Sequence, residues 1–277
     1  MSAMPEASRA GFLATIDGLV CDLDGVVYRA SDPIPRAIAC LQELGRRGFP
    51  VVYCTNNSAL TPEAYVEKLK GMGLSTQPQD VITSSIVAGE ILSELGLNGK
   101  TAYVVGAEGL QSAVADAGLE ILPRDSSDAD VVVVGSDRSF DYEMLDNAAR
   151  AVRRGAFFIA ANDDATYPSE KDIEPGAGAL LAAIEVAGGR RAEVAGKPHE
   201  PMMKSAARRF PSGARLAMAG DRPNTDLDGA RAMGWTTILV LSGVTDEEAA
   251  LALDPQPDLT LEDLGGLLDA PVDQPRH

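Results

Sequence analysis

Leu19-Val20-Cys21-Asp22-Leu23-Asp24-Gly25-Val26-Val27-Tyr28 is the stretch from which the fold can be read. Three apolar residues, Leu19 to Cys21, run without alternation into two aspartates one residue apart, and then into glycine. An apolar run without period-two alternation suits a parallel strand covered on both faces. Carboxylates at its C-terminal end would sit where open α/β sheets bind their ligands. Two acids this close repel each other and are costly to desolvate unless a cation or a shared proton compensates. The same residue types also make ordinary turns, so the stretch has to be weighed against the rest of the chain.

The chain has 277 residues, room for one large domain or two modest ones at about 100–200 residues each. Hydrophobic residues make up 45%, enough for a sizeable core, while aromatics are only 5%. The formal charge is −17, from 41 acidic and 24 basic residues. Non-specific nucleic-acid binding and docking on anionic lipid both want a basic face, and the balance argues against them. It does not exclude a local positive site for a small anion. Cys21, Cys40 and Cys54 lack metal-ligand spacing, and an odd count does not suggest a disulfide framework; Cys21 and Cys54 end apolar runs and read as buried free thiols. No basic segment followed by a long apolar one opens the chain, and no stretch approaches the roughly 20 apolar residues of a spanning helix. A cytoplasmic protein is expected.

Beyond the opening strand, Pro33 and Pro35 introduce a helix with apolar residues Ile34, Ile38, Leu41 and Leu44 at helical spacing, ended by Gly45 and Gly48. Val51 to Cys54 reads as a second strand, stopping at Thr55-Asn56-Asn57-Ser58. Thr61-Pro62-Glu63 supplies an N-cap, a proline at N1 and an acid in the first turn of the next helix. This βαβα order implies a parallel sheet.

Ser84 or Ser85 is expected to cap a helix reaching Leu95. A compact alternating block follows, with strands at Ala102–Val105, Val131–Val134 and Phe157–Ala161 and helices at Leu110–Ala117 and Tyr142–Arg153. A long polar loop spans Asn162 to Pro175, then a helix runs from Gly178 to Val186, and Gly188 to Arg191 forms an exit linker. The first pattern then resumes: a helix over Met202–Arg209, a strand over Leu216–Ala219, a helix over Asp226–Met233 and a strand over Thr237–Leu241. A short strand, a helix and a proline-containing frayed tail close the chain. The expected architecture is a doubly wound α/β domain, residues 1–84 and 192–277, with a smaller α/β domain at 85–191 inserted into it.

Four features share one placement, just after an apolar run or at a helix entrance: Asp22/Asp24, Thr55-Asn56, Lys197, and Gly220-Asp221 with Asn224, Thr225 and Asp226. Each has a plainer alternative. Thr55 could be a turn residue, Lys197 a solvated surface lysine, Asp221 a loop start and Asp226 a helix cap. Together they are chemically coherent. Acids on two strand ends make an all-oxygen site suited to Mg²⁺. Such a cation, a lysine, a hydroxyl and backbone N–H groups at helix starts are what a phosphate dianion needs. One carboxylate can then act as nucleophile, while the second protonates a leaving alkoxide and later deprotonates water.

Asp-Leu-Asp-Gly-Val, Thr-Asn-Asn-Ser, Gly-Lys-Pro and Gly-Asp-Arg-Pro-Asn-Thr-Asp, in this order, resemble the four motifs of the haloacid dehalogenase-like superfamily phosphatases. The insert resembles the C2-type cap of subfamily IIA, the NagD-like or p-nitrophenyl phosphatase group. Val-Gly-Ser-Asp-Arg-Ser-Phe-Asp-Tyr (134–142) and the Asn162 to Gly178 loop add matches. The resemblance implies a Rossmann-like core, with Asp22 as nucleophile and Mg²⁺ ligand and Asp24 as general acid/base that also offers its backbone carbonyl. It implies that Thr55, Asn56 and Lys197 hold the phosphoryl oxygens, that Asp221 completes the metal ligands and that Asp226 orients their surroundings. Asn224 stands where many relatives have an acid. The implied substrate is a small phosphorylated metabolite such as phosphoglycolate, glycerol phosphate, or a nucleotide or sugar phosphate, with p-nitrophenyl phosphate as an artificial one. Relatives often dimerise through the cap.

An acid at Asp24 separates this pattern from the family's dehalogenases and its transport ATPases. The short stretch between Asp24 and Thr55 leaves no room for the helical cap of the phosphomutases. A phospho-accepting signalling or binding protein on the same scaffold, without steady turnover, is the alternative, but receiver domains are about half this length. No Gly-x-Gly-x-x-Gly follows the first strand to support dinucleotide binding. Asp137, Arg138, Tyr142 and the Asn162–Tyr167 loop are candidates for leaving-group contacts, with internal packing of the cap as the alternative for each. Arg138 could attract a second anionic group.

Overall fold

A computed structural model describes residues 11–168 and 173–269. The chain divides into two compact units, Met1–Cys54 with Val66–Val81 and Ala206–His277, and Thr55–Tyr65 with Ile82–Ser205. Among the described residues no helix is long and apolar enough to cross a membrane.

In the first unit the strand Gly18–Cys21 is buried at all four positions, as its unbroken apolar run requires. It pairs in parallel with Leu216–Gly220 on one side and Val51–Thr55 on the other. Thr236–Val240 and then Leu259–Leu261 extend the sheet beyond Leu216–Gly220, and Val81–Thr83 lies outside Val51–Thr55. The register sets Cys21 beside Ala219, and the Asp22 N–H donates to the Ala219 carbonyl at 2.9 Å. Asp22 and Asp221 therefore leave neighbouring strands at the same edge. The helix Pro35–Arg46 buries Ala37, Ile38, Cys40, Leu41 and Leu44, with Ile34 as its N-cap residue. It runs through Gly45 rather than ending there, since the buried stripe outweighs one glycine's cost of about 1 kcal/mol.

The second unit holds a five-stranded parallel sheet in the order Glu193–Val194, Phe157–Ala160, Val131–Val134, Thr101–Val105, Glu120–Ile121. The helices Tyr142–Arg153 and Ala177–Gly188 contribute Met144, Ala148, Val152, Leu181 and Ile184 to a core with Tyr103, Val132 and Phe158. Glu193–Val194, just past the expected linker, is thus an edge strand of this sheet.

Several local expectations change. Thr83, not Ser84 or Ser85, caps the helix Ser84–Glu94, its side chain accepting from the Ile86 N–H. The 162–175 loop carries an antiparallel pair, Thr166–Pro168 with Ile173–Pro175; residues 169–172 of it lie outside the described residues, as does the proline-containing tail from residue 270. Tyr28–Arg29 and Asp32–Pro33 pair as a small hairpin that the sequence pattern does not announce. The helix expected to start at Asp226 starts at Asp228, behind a π-helical turn over Pro223–Leu227.

Candidate active site

Asp22, Asp221 and Asp226 come together at the C-terminal edge of the first sheet, each offering an oxygen within 4.8 Å of the others. All three are buried. Asp22 follows the central strand, and Asp221 follows Leu216–Gly220. The π-helical turn delivers Asp226: its N–H donates to the Arg222 carbonyl at 2.9 Å, and its Oδ2 accepts from the Arg222 N–H at 3.1 Å. Asp226 is therefore tied to the turn that follows Asp221 rather than capping a helix.

Asp221 is anchored on two sides. Its Oδ2 accepts from the Val244 N–H at 2.7 Å, and its carbonyl accepts from Thr245 Oγ1 at 2.6 Å. A Cβ on Gly25 or Gly243 would fall 2.4 or 2.0 Å from that same Oδ2, and Gly25 also has φ +82°. Only glycine lets the backbone pass so close to the carboxylate. Ser242 Oγ closes the cradle by donating to the Gly25 carbonyl at 2.7 Å. Sequence reasoning missed this 242–245 loop, although its signal was present: Ser242 is a polar residue following an apolar strand, the placement that selected the other motifs.

Packing three carboxylates out of water raises their mutual repulsion, which a cation offsets. A buried, all-oxygen cluster of this kind fits a hard divalent ion such as Mg²⁺. Asp24, two residues after Asp22, has its Oδ2 3.4 Å from the Tyr28 hydroxyl. Asn224 is exposed within the π-helical turn.

The second unit assembles the other predicted residues. The Asn56 side chain grips the Lys197 backbone at two points, accepting from its N–H at 2.7 Å and donating to its carbonyl at 2.9 Å. The Asn56 carbonyl accepts from Ser84 Oγ and from Asn162 Nδ2, while Asn56 Nδ2 also donates to Asp164 Oδ2 at 3.1 Å. Thr55, buried, uses Oγ1 to accept from the Asn57 N–H at 3.1 Å. Lys197 is 2% exposed, which removes the surface-lysine alternative. An isolated ammonium is not buried this deeply without compensating anionic or polar groups.

Near Lys197, His199 Nε2 lies 3.0 Å from Asp163 Oδ2. That hydrogen bond raises the imidazole above its ordinary range and lowers the carboxyl below its own. Of the cap candidates, Arg138 is ion-paired with Glu174. Tyr142 is 82% exposed at the start of its helix, where Asp141 is the N-cap. Asp137 is occupied locally, its Oδ1 accepting from the N–H and hydroxyl of Ser139 at 2.7 Å.

Two family models match the chain: haloacid dehalogenase-like hydrolase over residues 19–120, and HAD-hydrolase-like over 194–267. The chain belongs to the haloacid dehalogenase-like hydrolases, as a phosphatase of the NagD-like subfamily IIA. The acid sugar phosphatase of Staphylococcus haemolyticus is 35% identical over 248 residues, 89% of this chain and 93% of that protein. The glycerol phosphate phosphatase of Mycobacterium tuberculosis, crystallised in complex with magnesium, superposes with a TM-score of 0.85 at 32% identity, covering 94% of this chain and 79% of that one. The p-nitrophenyl phosphatase of Archaeoglobus fulgidus gives 0.84 at 29% identity, covering 92% and 98%.

Proposed function

We propose that the protein is a Mg²⁺-dependent phosphatase that hydrolyses small phosphomonoesters through an aspartyl-phosphate on Asp22. The observation that carries this reading is the buried trio of Asp22, Asp221 and Asp226 at one sheet edge. Carboxylate oxygens of Asp22 and Asp221, with the backbone carbonyl of Asp24, would hold the ion, and Asp226 would orient its surroundings. When bound, Mg²⁺ would offset the repulsion between an anionic nucleophile and an anionic phosphoryl group.

An Asp22 carboxylate oxygen attacks phosphorus while the bond to the leaving oxygen breaks, and that oxygen takes a proton from Asp24. Water then attacks the phosphorus of the acyl phosphate and gives its proton to Asp24. The bond to Asp22 breaks, inorganic phosphate leaves, and both acids return to their starting states. Thr55 and Lys197 would take the phosphoryl oxygens together with the backbone N–H of Asn56, whose side chain is committed to fixing the Lys197 backbone and to Asp164. Asn224, exposed in the Asp221 loop, is a candidate substrate contact in the same reading.

Residues 85–191 act as the cap, with Arg138 and Tyr142 as candidates for leaving-group contacts. Since Arg138 already holds Glu174, a substrate's second anion would have to displace a carboxylate, which favours neutral leaving groups such as polyols and sugars. The names of the Staphylococcus and Mycobacterium relatives agree with that class. A homodimer through the cap and a cytoplasmic setting belong to the same proposal, with no nucleic-acid or membrane partner.

The test is Asp22→Asn assayed on p-nitrophenyl phosphate. Turnover should fall by at least about a thousandfold, as for other nucleophile deletions, with the melting curve retained. Full activity would overturn the mechanism.

A further inference from the structure

Tyr28 and Lys68 have no part in the chemistry described so far, yet both converge on Asp24. After Asp22 the chain coils tightly: the N–H groups of Val26, Val27 and Tyr28 all point to the Leu23 carbonyl, and the Gly25 N–H donates to the Tyr28 carbonyl at 2.7 Å. This coil brings Tyr28 back beside Asp24 as an isolated bridge. The Tyr28 side chain is fully buried, and its hydroxyl lies 3.4 Å from Asp24 Oδ2. That separation is longer than the usual 2.7–2.8 Å for O–H···O; catalytic hydrogen bonds often start long and tighten in the reacting complex.

Lys68 lies over the ring. It projects from the helix Pro62–Gly71, with Nζ 3.5 Å from the Tyr28 ring centroid. Nζ also donates to the Ala30 carbonyl at 3.2 Å. Ala30 sits in the turn of the small hairpin at φ 53°, a costly conformation for a residue with a Cβ. The ammonium is half-buried. Burial lowers its pKa, and the Asp24 carboxylate opposes that shift, so the charge at Asp24 is felt at Lys68. An ammonium over a tyrosine face is attracted by the ring quadrupole, and it draws electron density from the phenol, making the hydroxyl a stronger donor.

We propose that Tyr28 and Lys68 are positioning residues for Asp24. The Tyr28 hydroxyl holds Oδ2, the Lys68 ammonium fixes and polarises the ring, and Asp24 is thereby set to pass its proton through Oδ1 to the leaving oxygen. A hydrogen bond to this carboxyl strengthens as the proton departs and charge develops. It is therefore worth more in the transition state than in the ground state. The proposal rests on Asp24 being the general acid of the preceding section.

A series of substituted phenyl phosphates tests it, from p-nitrophenyl to phenyl, because a more basic leaving oxygen depends more on the acid. The value of kcat/KM reports the steps through transfer of phosphorus to Asp22. For Tyr28→Phe the loss should be at least about tenfold larger on phenyl phosphate than on p-nitrophenyl phosphate, within the range general acids contribute. Lys68→Met should show the same trend more weakly, and Lys68→Arg should restore the parent slope. Equal losses along the series, or none, would overturn the proposal and leave Tyr28 and Lys68 a structural role. Should Tyr28→Phe fail to fold, the two Lys68 variants decide alone. Asp24→Asn in parallel separates the two readings. If its loss is also independent of the leaving group, the assignment of Asp24 is wrong; if it alone depends on the leaving group, only the positioning proposal fails.

Discussion

The protein contains two parallel sheets of the same construction and uses their C-terminal edges in opposite ways. In the first unit two neighbouring strands end in acids, with Asp22 after Cys21 and Asp221 after Gly220. In the second unit the corresponding positions are Gly106, Gly135 and Ala161. There the chain segment 55–65 closes the edge. The Ala59 carbonyl accepts from the Gly109 N–H at 3.0 Å, and the fully buried Ser58 accepts from the Ser136 N–H through Oγ at 3.2 Å. A Cβ on Gly135 would lie 2.6 Å from Ser58 Oγ and 2.8 Å from Leu110 Cδ2. An α/β sheet offers a binding edge by its topology, but whether the edge becomes a site depends on which side chains leave the strand tips.

The contrast can be broken at either edge. The largest effect is expected at the acidic one: Asp221→Asn should weaken Mg²⁺ activation by more than about a hundredfold, exceeding the cost typical of an outer-shell change. Titration of activity against Mg²⁺ after chelation measures it, and an unchanged midpoint would remove Asp221 from the metal site. At the closed edge, Gly135→Ala should cost about 1–3 kcal/mol of stability by overpacking. A melting curve like the parent's would mean that the segment does not seal that sheet. Thr83→Ala should cost about 1 kcal/mol, since it deletes the cap bond to the Ile86 N–H; denaturant midpoints at constant m would read it.

The smallest effect concerns His199 and Asp163. The imidazole is raised above its ordinary 6.5, so its contribution is complete below pH 6.5 and is lost as pH rises through the raised value. The carboxyl is lowered below its ordinary 3.8, so its contribution is present above pH 3.8 and is lost as pH falls through the lowered value. The pair is thus most stabilising between pH 3.8 and 6.5. Both side chains are more than a third exposed, which limits the pair to under about 1 kcal/mol. His199→Gln should lower stability within that window and remove the slopes that flank it above pH 6.5 and below pH 3.8, and an unchanged profile would show the pair to be inert.

The framework of the first sheet was legible because its strands are unbroken apolar runs with polar tips. The same pattern located Asp22, Asp221 and Thr55. Asp226 was located but its attachment was misread, because a π-helical turn leaves no trace in a 3.6-residue periodicity. The helix cap fell one residue early in a Thr-Ser-Ser run, where any of the three hydroxyls could accept; the extended backbone of Thr83 decides it. The pair Thr166–Pro168 with Ile173–Pro175 was read as loop because prolines and acids crowd it. The burial of Lys197 was equally hidden, since a lysine's ordinary place is the surface and only the Asn56 grip on its backbone reveals otherwise.

Mass spectrometry of the enzyme caught during turnover tests the nucleophile most directly. The protein is acid-quenched while hydrolysing p-nitrophenyl phosphate, treated with borohydride to reduce any acyl phosphate to an alcohol, and digested. Reduction at residue 22 and at no other carboxylate is the predicted result. Steady turnover with Asp22 unmodified, or reduction at a different acid, would contradict it.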